Sequence, residues 1–336
     1  MNPSRSDIDR RSRRRACAAA LALAIAWPAW AYAADHASSR AGSGVAVVDN
    51  SDRRVAVVDD SGQRVALARP AKRIVTLAPS ATELVFAAGA GAHVVGVIKG
   101  SDYPPGARLL PVIGDVTALD LERIVALAPD LVVTWPWTTP SQVAWLRGHG
   151  VAVFEADPKQ IAGIAGDIER LGTLTGTESV ATAAAARFRG ALAALERSVP
   201  GGPPLAVFYQ VSAAPIFTLG GTQLVSEAIA RCGGRNVFGS LSVPAAQVGI
   251  EAVLAAQPQA IVAGTDNAIR PAWLDDWRRW PELPAVRDGN LFVVDANLLH
   301  RPGPRFVEGM AGLCRALASA RRKAGSRPDV AQRPKL

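Results

Sequence analysis

Short apolar runs alternate with helical periodicities along most of the chain. β-Branched and leucine-rich runs at 74–77, 94–98, 131–134 and 151–154 predict buried strands. Between and after them the spacing predicts helices over 81–88, 121–128, 142–147 and 161–171, the first capped by Ser80. The second half repeats the grammar, with strands at 205–209, 260–263 and 291–294 and helices over 224–231, 250–256 and 306–320. Strands alternating with helices imply parallel-sheet α/β architecture.

Residues 178–197 read differently. The stretch is alanine-rich, its larger apolar residues Val180, Phe188, Leu192 and Leu195 recur at helical spacing, and Pro200-Gly201-Gly202-Pro203 stops it. As a helix it is a rod of about 30 Å. It is either one more packed helix or a stiff connector between halves.

Two internal repeats bear on the organisation. Val45-Ala-Val-Val-Asp-Asn-Ser-Asp-Arg-Arg54 is followed by Val55-Ala-Val-Val-Asp-Asp-Ser-Gly-Gln-Arg64, β-branched runs whose Asp, Ser and Gly breaks predict hairpin strands. Residues 121–135 align without gaps to 250–264. Each has an apolar residue, a glutamate (Glu122, Glu251), a short helix, a proline and a buried strand. They part at the strand end, at Trp135 in one and Gly264 in the other. Two related α/β lobes joined by the alanine-rich helix follow from this match.

Hydrophobic residues make up 49% of the 336, enough for a substantial core. The net charge of +8 sits at the ends: residues 1–33 carry +4 and residues 321–336 carry +5, leaving −1 for 34–320. A near-neutral body argues against nucleic acid as a partner. Arginines at 10–15, a short apolar run over 16–31 and Ala31-Tyr32-Ala33 describe a cleaved secretory signal peptide over 1–33. The predicted organisation is then a leader with a β-hairpin over 34–72, a first lobe over 73–176, the connecting helix over 177–199, a second lobe over 200–320 and a disordered basic tail over 321–336.

Catalytic machinery is not evident. The chain has no Walker loop, no His-Glu-x-x-His helix and no Gly-x-Ser-x-Gly elbow. Gly89-Ala-Gly91 follows a helix, the wrong context for a dinucleotide turn. His93 and His149 read as structural or solvated, and His300 borders a Pro-Gly-Pro loop. Trp135 and Trp137 follow a strand end, where open α/β sheets place ligands; core packing of Trp135 is the competing reading. Trp273, Trp277 and Trp280 share a helix face and predict packing.

Several motifs carry a family resemblance. They are Arg73-Ile-Val-Thr-Leu-Ala-Pro-Ser-Ala-Thr-Glu83, Ser101-Asp-Tyr-Pro-Pro105, Leu121-Glu-Arg-Ile-Val-Ala-Leu127 with Pro129-Asp-Leu-Val132, Cys232-Gly-Gly-Arg-Asn-Val-Phe238, and Gln247-Val248 before Glu251. With them the chain resembles the periplasmic binding proteins of ABC importers for vitamin B12, ferric siderophores and haem, most closely the B12 branch, from about residue 73 to 320. The resemblance implies two α/β lobes with mainly parallel sheets bridged by one long helix, clamping a corrinoid and delivering it as a monomer to an inner-membrane permease. It implies no enzyme activity and no cofactor, cobalamin being cargo. Asp295 and Arg301 match acidic and basic cleft residues, and Trp135 an aromatic wall. Gly100, Val116, Val211 and Ala245 stand where the B12 branch has aromatics, with Trp137 and Tyr209 as neighbours that can compensate. Glu122 and Glu251 match the pair that docks on permease arginines. Export places Cys232 and Cys314 in an oxidising space, and the resemblance implies that they are bonded. Haem or a ferric siderophore is the alternative cargo, with Tyr103, Tyr209 and His300 as the candidate haem ligands. An exported enzyme on the same fold is the second alternative.

Overall fold

The computed structural model describes residues 54–325. The signal peptide, the leader, nearly all of the first ten-residue repeat and the end of the basic tail lie outside the described residues. The second repeat copy builds a hairpin. Strand β1 (Val55–Val58) pairs antiparallel with β2 (Arg64–Leu67). The Asp59 carboxylate closes the turn, accepting from the Ser61 amide at 3.0 Å, the Ser61 hydroxyl at 2.7 Å and the Gln63 amide at 2.9 Å.

The first lobe contains β3 (Ile74–Thr76), α1 (Pro79–Ala87), β4 (Val94–Val97), α2 (Leu121–Ala126), β5 (Leu131–Thr134), α3 (Pro140–Gly148) and β6 (Ala152–Glu155). Its sheet runs β4-β3-β5-β6, all parallel. Helix α1 starts two residues before its predicted start. Pro79 opens it, with its φ preset for the first turn, and Ser80 is buried rather than capping. Helix α4 (Gly163–Thr175) ends at Gly176 with φ +70° and leads into α5 (Glu178–Arg197). Helix α5 packs against α4, α1 and the last helix of the second lobe, so it is both a packed helix and the connector.

The second lobe contains β7 (Leu205–Ala213), β8 (Ile216–Leu219), α6 (Leu224–Arg231), β9 (Gly234–Asn236), β10 (Ala245–Gln247), α7 (Ile250–Ala256), β11 (Ala260–Thr265), α8 (Pro284–Arg287), β12 (Leu291–Asp295), α9 (Ala296–Leu299) and α10 (Phe306–Gly325). Strands β9, β7, β11 and β12 run parallel, and β8 and β10 add an antiparallel ribbon to the edge. The sheets are thus mainly parallel, as expected, and the antiparallel ribbon is the one addition the sequence pattern does not predict. Helix α10 continues into residues assigned to the tail.

The internal match is a repeated corner. Ala128 and Gln257 both take φ +44°, and each precedes a proline. Asp130 then accepts from the Lys72 and Arg73 amides at 2.7 and 3.0 Å, while its own amide donates to the Arg73 carbonyl. Gln259 does the same one lobe later, accepting from the Ala206 amide at 2.9 Å and donating to the Ala206 carbonyl. Each corner ties a helix end to the start of the neighbouring strand.

Strand alternation divides the core. Ile74, Val133, Val207 and Val262 face a central core with Phe188 and Leu192 of α5 and Leu313 of α10, continuous through both lobes. Val75 and Val132 face the first lobe's outer helices, and Phe208 and Ile261 the second's. Trp277 lies in that last cluster with Trp273 and Trp280 against it, and its indole donates to Gln210 at 2.7 Å. Cys232, just after α6, is bonded to Cys314 of α10. Among the described residues no helix is long and apolar enough to cross a membrane.

Candidate functional site

The loop over 295–305 leaves the carboxyl end of β12 and meets the first lobe. Asp295 caps α9, accepting from the Asn297 amide at 2.9 Å, and also accepts from the Asn267 amide at 3.2 Å. Asn297 in turn accepts from Arg301 at 2.9 Å. Arg301 reaches across to Asp102 at 2.6 Å. Four residues on, Arg305 makes a two-point contact with Glu83 of α1, at 3.0 and 2.6 Å. Its guanidinium carbon lies 3.8 Å from the centroid of the Tyr103 ring, a cation–π distance. Burial pulls the Asp102 carboxyl up, but Arg301 and then Arg305 outweigh it and hold it below the usual range. The Glu83 contact keeps the Arg305 guanidinium firmly charged.

The predicted residues thus divide into three groups. Tyr103 and Arg301 meet at this seam, with Asp295 one step behind through Asn297. Trp135 and Trp137 form their own pair at the end of β5, with centroids 6.4 Å apart. Trp135 is half-buried against the central core, whereas Trp137 is 61% exposed. Tyr209 is enclosed, at 0% exposure, and its hydroxyl hydrogen-bonds His300 Nε2 at 2.9 Å. Burial pushes the Tyr209 phenol well up and the His300 imidazole down, the latter against the pull of Asp266 and Asp295. Tyr209 therefore offers no surface to a ligand in this form.

Glu122 and Glu251 lie in the first turns of α2 and α7, exposed, one on each lobe. A carboxylate at a helix start is favoured electrostatically whatever it meets. Glu83 and Arg305 belong to this seam, and the sequence reading passes over both. Glu83 ends the Arg73–Glu83 motif, and Arg305 ends Arg-Pro-Gly-Pro-Arg; a charged residue closing each was the available signal. Among the described residues no group of three or more His, Cys, Asp or Glu side chains is placed to hold a metal ion. A groove of about 680 Å³ in the second lobe, lined by Ser226, Glu227, Arg235 and Ser240 among others, contains none of the predicted residues.

Residues 74–298 match a protein family described as periplasmic binding protein. The vitamin B12-binding protein of Vibrio cholerae is 37% identical over 240 residues, 71% of this chain and 86% of that protein. The crystal structure of the periplasmic vitamin B12-binding protein of Vibrio cholerae superposes with a TM-score of 0.70 at 36% identity, covering 75% of this chain and 99% of that one. A periplasmic heme-binding protein from Roseiflexus, in apo form, gives a TM-score of 0.65 at 26% identity, covering 74% and 98%.

Proposed function

The chain belongs to the periplasmic binding protein family, and we propose that it captures a corrinoid of the vitamin B12 type between its lobes and hands it, as a monomer, to an ABC importer. Its role is capture and delivery, without conversion of the cargo. The observation that carries the cargo assignment is the likeness to the vitamin B12-binding protein, which runs through both lobes.

Physical chemistry supports the corrinoid over the two alternatives. A large flat ligand gains from aromatic walls with a few polar groups to orient it. Trp135 and Trp137 supply the wall, and Tyr103, Arg301 and the Asp295–Asn297 pair supply the polar end. Cobalt arrives already held by its ring, so the protein need supply no metal ligand. Haem iron takes a tyrosine or histidine. Here Tyr209 and His300 are bonded to each other, and Tyr103 lies beneath Arg305. A ferric siderophore is an anionic chelate that arginines grip with their charge. Arg301 and Arg305 are already matched by Asp102 and Glu83.

Glu122 and Glu251 are the docking contacts to the permease in this proposal. They hold one position in a corner built twice, and a two-fold permease dimer presents two equivalent sites to such a surface. Charge pairs of this kind fix register and speed encounter. The test is calorimetric titration of the purified protein with cyanocobalamin and, separately, with haem. Saturable binding of cyanocobalamin is expected; haem binding without cyanocobalamin binding overturns the cargo assignment.

A further inference from the structure

Glu83 is a carboxylate with 2% of its side chain exposed, and among the described residues its ion pairs are with Arg301 and Arg305. Its compensation comes from the other lobe, 222 positions along the chain. Arg305 donates to both of its oxygens, and Arg301 Nη1 stands 3.6 Å from Oε1. Both guanidiniums are themselves mostly covered, at 16 and 19% exposure. The loop approaches closely enough that a Cβ on Gly303 would touch Glu83 Oε2 at 3.5 Å.

We propose that Glu83 is the positioning residue of the ligand site, fixing Arg301 directly and Tyr103 through Arg305; this rests on the corrinoid reading for the identity of the ligand. The geometry carries the argument. Arg301 Nη1 lies between two carboxylates, Asp102 at 2.6 Å and Glu83 at 3.6 Å, while its Nη2 is bound to Asn297. That leaves one orientation for the guanidinium plane. Arg305 is pinned at both ends of its fork by Glu83, so its guanidinium is held over the Tyr103 ring. An arginine fork on a carboxylate fixes direction as well as distance, which a lysine at the same place would not. Without the Glu83 charge, two guanidiniums share a mostly covered seam with Asp102 on Arg301 and the more distant Glu308 near Arg305 as the remaining carboxylates. Repulsion then moves the loop over 296–305 away from the first lobe, and with it the polar end of the site.

The experiment uses Glu83→Gln, which keeps the side-chain shape and removes the charge. Arg305→Lys, which keeps the charge and removes the fork, carries the same test if the first variant does not fold. Two readouts are taken: hydrogen exchange of the free protein, and cyanocobalamin affinity by calorimetry. Faster exchange over 296–305, with the distant strands β5 and β11 unchanged and a Kd raised about tenfold or more, is expected. In Glu83→Gln with Arg305→Gln, affinity should fall no further than in the worse single variant, since coupled residues are not additive. Unchanged exchange over 296–305 overturns the proposal. So does faster exchange with unchanged affinity, which makes Glu83 a structural tie alone. If the wild-type protein takes up no cyanocobalamin, the cargo reading falls instead, and exchange alone decides the positioning.

Discussion

Reducing the Cys232–Cys314 bond should destabilise the protein strongly and leave its ligand site nearly intact. The bond joins the end of α6 to the middle of α10, between cysteines 82 positions apart. In the chain-entropy treatment, releasing a loop of that length from the unfolded chain costs about 4.5 kcal/mol of stability at 25 °C. That figure is a ceiling, because residual structure in the reduced, unfolded chain already restricts the loop. A loss of about 2–4.5 kcal/mol is therefore expected, a large share of the roughly 5–15 kcal/mol that holds a typical domain folded. The site should be spared, since the seam residues Glu83, Arg301 and Arg305 contact one another without either cysteine. Guanidinium denaturation with and without reductant measures the first part, and titration of the reduced, still folded protein with cyanocobalamin measures the second. Cys232→Ala with Cys314→Ala should reproduce both. A stability change under about 1 kcal/mol would refute the entropic argument. Loss of binding in folded, reduced protein would refute the separation of staple from site.

Trp135→Ala should weaken cyanocobalamin binding by about 1–3 kcal/mol, the scale of removing a large apolar side chain from a contact; an unchanged Kd by calorimetry removes Trp135 from the ligand wall. Glu122→Ala with Glu251→Ala should abolish uptake through the cognate transporter while leaving ligand affinity as it was, and normal uptake or an equal loss of affinity would sink the docking assignment. Asp167 is buried, shares the Arg170 guanidinium with Asp60, and has one oxygen without a partner. Burial first and the Asp60 charge second hold its carboxyl well above the usual range. Its folded-state affinity for a proton is thus raised, so its stabilising contribution is full below the ordinary carboxylate pKa and fades as pH rises through the raised value. The stability of Asp167→Asn relative to wild type should therefore improve as pH rises above the ordinary carboxylate range in urea denaturation, and a constant or shrinking advantage would contradict the sign.

Much of the fold is legible because it is written locally. Buried strands appear as β-branched runs, helices as 3.6-residue periodicity, and the repeated corner as a gapless match between 121–135 and 250–264. The failures have local causes too. Ser80 is a good capping residue, but Pro79 can open a helix by itself and does. The antiparallel ribbon of β8 and β10 comes from short strands beside Pro215 and Pro244, where period-2 alternation is too brief to read. The pairing of Glu83 with Arg305 is not written locally, although each charge closes a motif. It spans the two lobes, so a buried glutamate in α1 looks like any polar position of a helix until its partner is placed.

The asymmetry of the proposed ligand wall is the deeper case, because the sequence displays it without its reason. Trp135 and Gly264 occupy one position in the repeated corner, yet one is the largest side chain and the other has none. Strand register supplies the cause. Val133 pairs with Thr76 and Val262 with Tyr209, so residues 135 and 264, two further along, lie on the same faces as Thr76 and Tyr209. In the second lobe the large side chain is Tyr209 on β7. Its hydroxyl lies where a Cβ on residue 264 would be, so the strand there must carry glycine, and the ring is sealed in the core by His300. In the first lobe the matching residue is the small Thr76, held down by Thr82 at 2.7 Å, and the large side chain moves across to β5 as Trp135. The exchange keeps each lobe's inner layer filled, but it changes what the strand end displays. Tyr209 is spent on packing, whereas Trp135, at the last turn out of its sheet beside the exposed Trp137, keeps a face free. Two lobes built from one plan thus end their strands on unlike surfaces, because a large and a small residue have traded places between neighbouring strands.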